Sequence, residues 1–156
     1  MSTNVLVQGN MPPKFFDQLQ KCSVKDVFVL EGRPSLKAAK GSSWQLQKRG
    51  VTPTIMADNM AGYLFYKNLI SEVWVGCQSV GPQEAQCDIG ALILAVLAQT
   101  HQIPLYGYKT KVEKKGSAAS NDLTKFNGQR IVAGKVKAFV PLAEKVPMKY
   151  FKGIYE

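Results

Sequence analysis

Residues 52–107 read TPTIMADNMAGYLFYKNLISEVWVGCQSVGPQEAQCDIGALILAVLAQTHQIPLYG. β-rich runs alternate with helical runs along this stretch. TPTIMA, Thr52 to Ala57, predicts a strand, and EVWVG, Glu72 to Gly76, a second. Between them a helix is expected to run to Ile70. Asp58 or Asn59 is placed to cap it, since either side chain can accept from a free backbone N–H. Asp88 to Thr100 is apolar on nearly every face, which predicts a helix buried by a sheet and also by a second subunit. Pro104 to Tyr108 closes the stretch as another strand.

The same alternation continues outward. Asn4 to Gln8 predicts the first strand. Pro12 and Pro13 suit a helix start, and Phe15, Phe16 and Leu19 keep helical spacing through Cys22. Val24 to Leu30 predicts the second strand. Ser35 to Arg49 predicts a helix with Leu36, Trp44 and Leu46 facing inward, weakened at Gly41 and stopped by Gly50. Residues 112–128, rich in Lys, Gly, Ser, Asn and Asp, predict a mobile basic loop. A strand is expected within Arg130 to Val140, and a short helix from Pro147.

Strand–helix alternation at this spacing implies a mostly parallel sheet with helices on both faces. Ligands of such sheets sit beyond the carboxyl ends of the strands, where the strand order reverses. Those ends supply Gly9-Asn10, Glu31-Gly32-Arg33, Asp58-Asn59, Gly76-Cys77-Gln78 and Gly107-Tyr108.

The totals narrow the classes. The chain has 156 residues, of which 46% are apolar, enough for one globular domain with a core. Met1 to Asn10 lacks the pattern of a secretory leader, and no run is long enough for a membrane span. Three cysteines, Cys22, Cys77 and Cys87, without CxxC spacing read as reduced thiols in a cytoplasmic protein. One histidine, His101, with no carboxylate cluster gives no metal site. No GxGxxG exists, so no dinucleotide cofactor is implied.

The net charge of +9 is uneven. Residues 1–108 hold nine Lys/Arg against seven Asp/Glu, and residues 109–156 hold eleven against four. A basic last third suits phosphorylated ligands, nucleic acid or an acidic partner.

Several words of the chain resemble one family. Val5-Leu6-Val7-Gln8-Gly9-Asn10, Glu31-Gly32-Arg33-Pro34, Asp58-Asn59-Met60, the strand ending at Gly76, Ile89-Gly90 before an apolar helix, Ile103-Pro104-Leu105-Tyr106 and the closing Ile154-Tyr155-Glu156 are similar to the carboxyl-terminal domain shared by methylthioribose-1-phosphate isomerase, ribose-1,5-bisphosphate isomerase and the regulatory subunits of translation initiation factor 2B. The resemblance covers nearly the whole chain and implies a Rossmann-like α/β/α domain that pairs with a like domain. It does not include the family's helical amino-terminal domain.

The resemblance also marks altered chemistry. The isomerases carry a cysteine after the first strand, before an Asn; here Gly9 precedes Asn10. Their aspartate, two residues after the strand-four glycine, is Gln78 here. Their Asn-Lys pair before Ile-Gly is Cys87-Asp88. The glutamine after Arg-Pro is Lys37, with Lys40 as a further cation. Arg33, Asp58 and Asn59 keep their family identities. These features give Arg33, Lys37, Asp58, Asn59 and Gln78 as candidate ligand contacts, with Asp58 as the acid if catalysis survives.

Three functions follow as expectations. The first is a non-catalytic binding or assembly module, dimeric or joined to a related chain, that recognises a protein or a phosphorylated small molecule. The second is a diverged aldose–ketose isomerase of sugar phosphates. The third is a nucleic-acid binder using the basic last third.

Overall fold

The computed structural model describes residues 3–111 and 121–156. The strands are β1 (Thr3–Gln8), β2 (Val24–Leu30), β3 (Thr54–Met56), β4 (Glu72–Val80), β5 (Glu84–Asp88), β6 (Leu105–Lys109), β7 (Lys125–Phe126), β8 (Gln129–Arg130), β9 (Ala143–Pro147) and β10 (Phe151–Tyr155). The helices are α1 (Pro13–Gln20), α2 (Lys37–Gln47), α3 (Ala61–Tyr66), α4 (Ala91–Thr100) and α5 (Asn121–Thr124), with 3₁₀ turns at Asp58–Met60 and Met148–Tyr150.

Six strands lie in the order β10-β6-β4-β1-β2-β3, all parallel. The chain runs β1 to β3 in one direction, then returns to the other side of β1 with β4. The switch point is therefore between β1 and β4. β1 pairs with Glu72–Val75 of β4. Beyond that, Cys77 to Val80 pairs antiparallel with β5, and β5 pairs antiparallel with β9. A hairpin thus extends the parallel sheet just past the end of β1.

Strand alternation sorts the core into two layers. Val5, Val7, Val27, Val29 and Tyr108 pack with Phe15, Phe16 and Leu19 of α1 and Leu46 of α2. Leu6, Val73, Val75 and Leu105 pack on the opposite face with Leu64 and Phe65 of α3 and Leu94, Ala95 and Ala98 of α4. The β4–β6–β10 side of the α1 face carries aromatic rings: Trp74 stacks on Tyr106 at 4.8 Å, and Tyr155 lies 5.5 Å from Trp74.

Several expectations are corrected. α2 begins at Lys37 rather than Ser35, because Leu36 sits at φ +58. Its buried stripe is Ala38, Ser42 and Leu46, and Trp44 is 58% exposed rather than inward. Residues two apart on a helix face different directions, so Trp44 and Leu46 cannot share a core face. Gly41 packs close to the end of β1: a Cβ on it would stand 2.6 Å from Asn10 Oδ1 and would push that side chain aside.

Neither Asp58 nor Asn59 caps α3 with its side chain, and α3 ends at Tyr66 rather than Ile70, where Asn68 turns to φ +53. The strand at β4 is longer than expected, and β5 occupies Asp88, so α4 begins at Ala91.

Of the expected basic loop, residues 112–120 lie outside the described residues, while 121–130 form α5 and the β7–β8 hairpin. No strand forms between residues 131 and 142. Gly134 turns to φ +66, and Ile131, Val136 and Phe139 are exposed, so that run lacks the alternating burial a strand needs. After Pro147 the chain makes one 3₁₀ turn and then strand β10, which adds to the sheet edge beside β6. Among the described residues, no helix is long and apolar enough to cross a membrane.

Candidate functional site

A cleft of about 1320 Å³ opens at the carboxyl ends of β1 and β4, at the switch point the sheet order dictates. Its floor is built where three strands finish. β1 ends at Gln8, and Gly9 turns the chain at φ +99. Position 9 admits no side chain without rearrangement. A Cβ there would be 3.1 Å from Asp88 Oδ2 and 3.3 Å from the backbone N of Gly76. Gln78 Nε2 donates to Asp88 Oδ1 at 2.7 Å. Gly9, Gln78 and Asp88 therefore meet on the floor as an empty position, an amide and a carboxylate.

Gln8 supports this floor. It is 4% exposed, and its Nε2 donates to the Ile89 carbonyl at 3.0 Å. Among the described residues its Oε1 has no hydrogen-bond partner. Ser42 Oγ donates to the Gly9 carbonyl at 3.4 Å, tying α2 to the end of β1. The amino end of α4 faces no ligand space, because Glu144 Oε1 accepts from Gly90 N–H at 2.7 Å and Leu92 N–H at 2.9 Å. A carboxylate at a helix amino terminus satisfies both the orphan donors and the dipole.

Arg33, Lys37 and Lys111 bring cationic side chains to the same cleft. The Arg33 guanidinium also lies 5.0 Å from the centre of the Phe126 ring, so the β7–β8 hairpin reaches this rim. Asp58 acts one step behind. Its two oxygens accept from Gly32 N–H at 2.9 Å and Arg33 N–H at 2.7 Å. It holds the loop that carries Arg33 and does not itself line the cleft. Asn59 is exposed in the neighbouring turn and does not line it either.

Of the residues expected at the site, the structure thus brings Arg33, Lys37 and Gln78 into one cleft and leaves Asp58 and Asn59 outside its lining. Gln8, Trp44, Asp88, Lys111 and Phe139 line the cleft without having been singled out as contacts. Asp88 had a legible signal: it is an acid at the position where the resemblance expects a lysine.

Cys77 and Cys87 face each other across the β4–β5 hairpin, with sulfurs 3.5 Å apart and both residues buried. The contact with Cys77 and burial hold the Cys87 thiol far above the ordinary thiol range. Cys87 is therefore no candidate nucleophile, which needs the opposite shift. His101 closes α4, its ring 5.6 Å from Phe65.

The switch-point topology, with a cleft at its strand ends, defines the class: a Rossmann-like α/β domain. Residues 17–154 match the model of the initiation factor 2 subunit family, and the chain belongs to that family. A methylthioribose-1-phosphate isomerase of Desulforudis audaxviator is 32% identical over 136 residues, which is 78% of this chain and 38% of that protein. The corresponding isomerase of Bacillus cytotoxicus is 31% identical over 140 residues, 81% of this chain and 40% of that protein. The chain thus spans well under half the length of these relatives.

Among solved structures, translation initiation factor eIF-2B subunit delta from A. fulgidus superposes with a TM-score of 0.84 at 19% identity, over 97% of this chain and 51% of that one. The 5-methylthioribose 1-phosphate isomerase of Pyrococcus horikoshii superposes with a TM-score of 0.83 at 22% identity, over 98% and 49%. At these identities the superpositions speak for the fold.

Proposed function

We propose that this chain is a non-catalytic binding and assembly module of its family, taking a phosphorylated small molecule in the strand-end cleft and pairing with a second copy or a related chain. One observation carries the reading: the floor on which the isomerases would place a cysteine and an aspartate holds Gly9 and Gln78. A glutamine does not exchange protons near neutral pH, and each lost acid/base group removes about 10²–10⁴-fold in rate. A side chain at position 9 would crowd Asp88 Oδ2 and would sit at a positive φ that side chains rarely adopt. Arg33, Lys37 and Lys111 support an anionic ligand in the same cleft. The subunit named in the A. fulgidus structure supports an assembly role.

The test pairs binding with turnover. Methylthioribose 1-phosphate and ribose 1,5-bisphosphate are offered to the purified chain, and both the melting temperature and product formation are followed. Stabilisation by a phosphorylated compound, lost in Arg33→Ala and without product, is the expected result. Multiple turnovers would overturn the non-catalytic half.

The competing reading is a diverged isomerase. The 31–32% identity to methylthioribose-1-phosphate isomerases favours it, as does a carboxylate on the cleft floor. If product forms, Asp88→Asn decides whether Asp88 has taken over the missing acid. Loss of turnover with binding retained would assign it that role.

A further inference from the structure

Neither the cleft nor the proposed pairing uses the two buried thiols. Cys77 on β4 and Cys87 on β5 are paired residues of the antiparallel hairpin. Both are buried, and their sulfurs stand 3.5 Å apart. A single buried cysteine behaves as a small apolar residue; two that already face each other are a different case. Residues directly opposed in an antiparallel pair have Cα atoms roughly 4.5–5.5 Å apart, inside the roughly 4.4–6.8 Å that a disulfide spans. Closing the sulfurs to a bond of about 2.05 Å therefore asks for side-chain rotation and little of the backbone. The position of the pair adds a consequence. The register shifts between Cys77 and Ser79, so Gln78 is the extra residue of a bulge, and a bulge re-aims a side chain. Gln78 meets Asp88 at 2.7 Å on the cleft floor. Each thiol thus lies one residue away from one half of that contact.

We infer that Cys77 and Cys87 are a redox-active pair, which a hydroperoxide oxidises to a cross-strand disulfide that ties β4 to β5 behind the cleft floor. The first step falls to Cys77. The hydrogen bond from Cys87 holds its thiol below the ordinary range, against the opposing effect of burial, and the thiolate is the attacking form. The Cys77 sulfur attacks one peroxide oxygen, the O–O bond breaks, and the other oxygen leaves as hydroxide, which takes up the proton Cys77 has lost. Cys77 is then a sulfenic acid, which condenses with a neighbouring thiol. The Cys87 sulfur attacks the Cys77 sulfur, the S–O bond breaks, and the hydroxyl leaves as water with the Cys87 proton. The two thiols are oxidised by two electrons, and the peroxide is reduced to two waters. Cys87, held well above the thiol range, keeps its proton until that second step. Peroxide reaches the pair when the hairpin opens locally from its turn, beside which Val80 is exposed. A small thiol reverses the bond by exchange. None of this depends on what the cleft binds.

The test uses the whole chain carrying Cys22→Ser, which removes the exposed thiol and with it disulfides between molecules. The folded protein is treated with hydrogen peroxide, and its intact mass, free thiols and linked peptides are followed. The expected result is the loss of two hydrogens and of both remaining thiols, a peptide linked through Cys77 and Cys87, and full recovery with dithiothreitol. Cys87→Ser on the same background leaves no thiol to condense, so dimedone should trap a sulfenic acid at Cys77. Cys77→Ser should give no trapped product at Cys87. Circular dichroism shows whether these two variants fold, and the result on the Cys22→Ser protein decides the matter without them. If the thiols of the folded protein stay free under peroxide and react only in urea, the pair is core packing and the inference falls. It falls equally if oxygen is added to the sulfurs with no linked peptide. Trapping at Cys87 in Cys77→Ser would overturn the order of attack.

Discussion

The Asp58 carboxylate accepts from two consecutive backbone N–H groups, Gly32 at 2.9 Å and Arg33 at 2.7 Å. Bonds to a charged acceptor are worth about 1.5–3 kcal/mol each, and partial exposure of the site argues for the lower end. Asp58→Ala is therefore expected to destabilise the fold by about 1–3 kcal/mol and to weaken any ligand held by Arg33. Asp58→Asn keeps one acceptor and should lose less. Urea unfolding of the two variants separates this clamp from a catalytic acid, which would leave stability unchanged on substitution.

Tyr108 makes a second residue-level case. It is 1% exposed, and among the described residues its hydroxyl has no hydrogen-bond partner. Removing an unsatisfied buried hydroxyl is neutral or favourable, so Tyr108→Phe should leave stability at pH 7 unchanged or raise it by about 1 kcal/mol. Burial, with a smaller contribution from Glu156, pushes the Tyr108 phenol up. The group keeps its proton in the folded chain after the unfolded chain has lost it. Its contribution is thus present below about pH 10, the unfolded phenol value, and is lost as pH rises above it. The urea midpoint should fall above about pH 10, and less steeply in Tyr108→Phe; identical profiles for the two proteins would contradict the shift.

What the sequence disclosed at this scale follows from geometry. Arg33 and Gln78 stood among the strand ends that converge in any doubly wound sheet, whereas Lys37, at the start of α2, came from the resemblance alone. Asp88 was marked only as an acid where the resemblance expects a lysine; its place on the floor depends on the β4–β5 pairing, which the local pattern does not announce.

At the scale of elements, β1, α1 and β2 were read almost to the residue. Their burial is regular: Val5 and Val7 alternate with Leu6 across the sheet, and Phe15, Phe16 and Leu19 repeat at helical spacing. The second half of the chain was harder to read. Gln78 to Val80 is polar or exposed, so its continuation as a strand rests on backbone pairing to β5 rather than on an apolar stripe. β10 ends the sheet at an edge, with Gly153 inside it and a register irregularity, which hides the alternation a strand normally shows.

Gly107 tests how tightly the β4–β6–β10 side is packed. A Cβ on it would meet Cys77 Sγ at 2.7 Å, Ile154 Cγ1 at 3.0 Å and Phe151 Cε1 at 3.2 Å. Overpacking of this kind destabilises by about 1–3 kcal/mol, so Gly107→Ala should lower the urea midpoint accordingly. Cys77→Ala added to it should recover part of the loss, because the shortest contact is then gone. A double variant no better than the sum of the singles would mean that β6 shifts instead of Cys77.

On the scale of the whole molecule, apolar exposure gathers on two neighbouring helices. Ile93 and Val96 on α4 are 66% and 45% exposed, and Tyr63 and Tyr66 on α3 are 58% and 71% exposed. The partners in each pair stand three residues apart, so each pair shares one helical face. The opposite faces of these helices are buried against the sheet. α4 is thus apolar on both sides, one satisfied by the sheet and one not. Exposed apolar side chains on two adjacent helices suit an interaction surface, and under the proposed assembly reading this is where the chain would pair. Ile93→Glu introduces a charge at the centre of that face while leaving the core untouched, so its effect on monomer stability should stay within about 0.5 kcal/mol. In sedimentation velocity the wild-type chain should run as a dimer and the variant as a monomer with an unchanged circular-dichroism spectrum. A wild-type chain that remains monomeric at every concentration tested would exclude self-pairing through α3 and α4. Mixing with a related family chain would then show whether this face waits for a different partner.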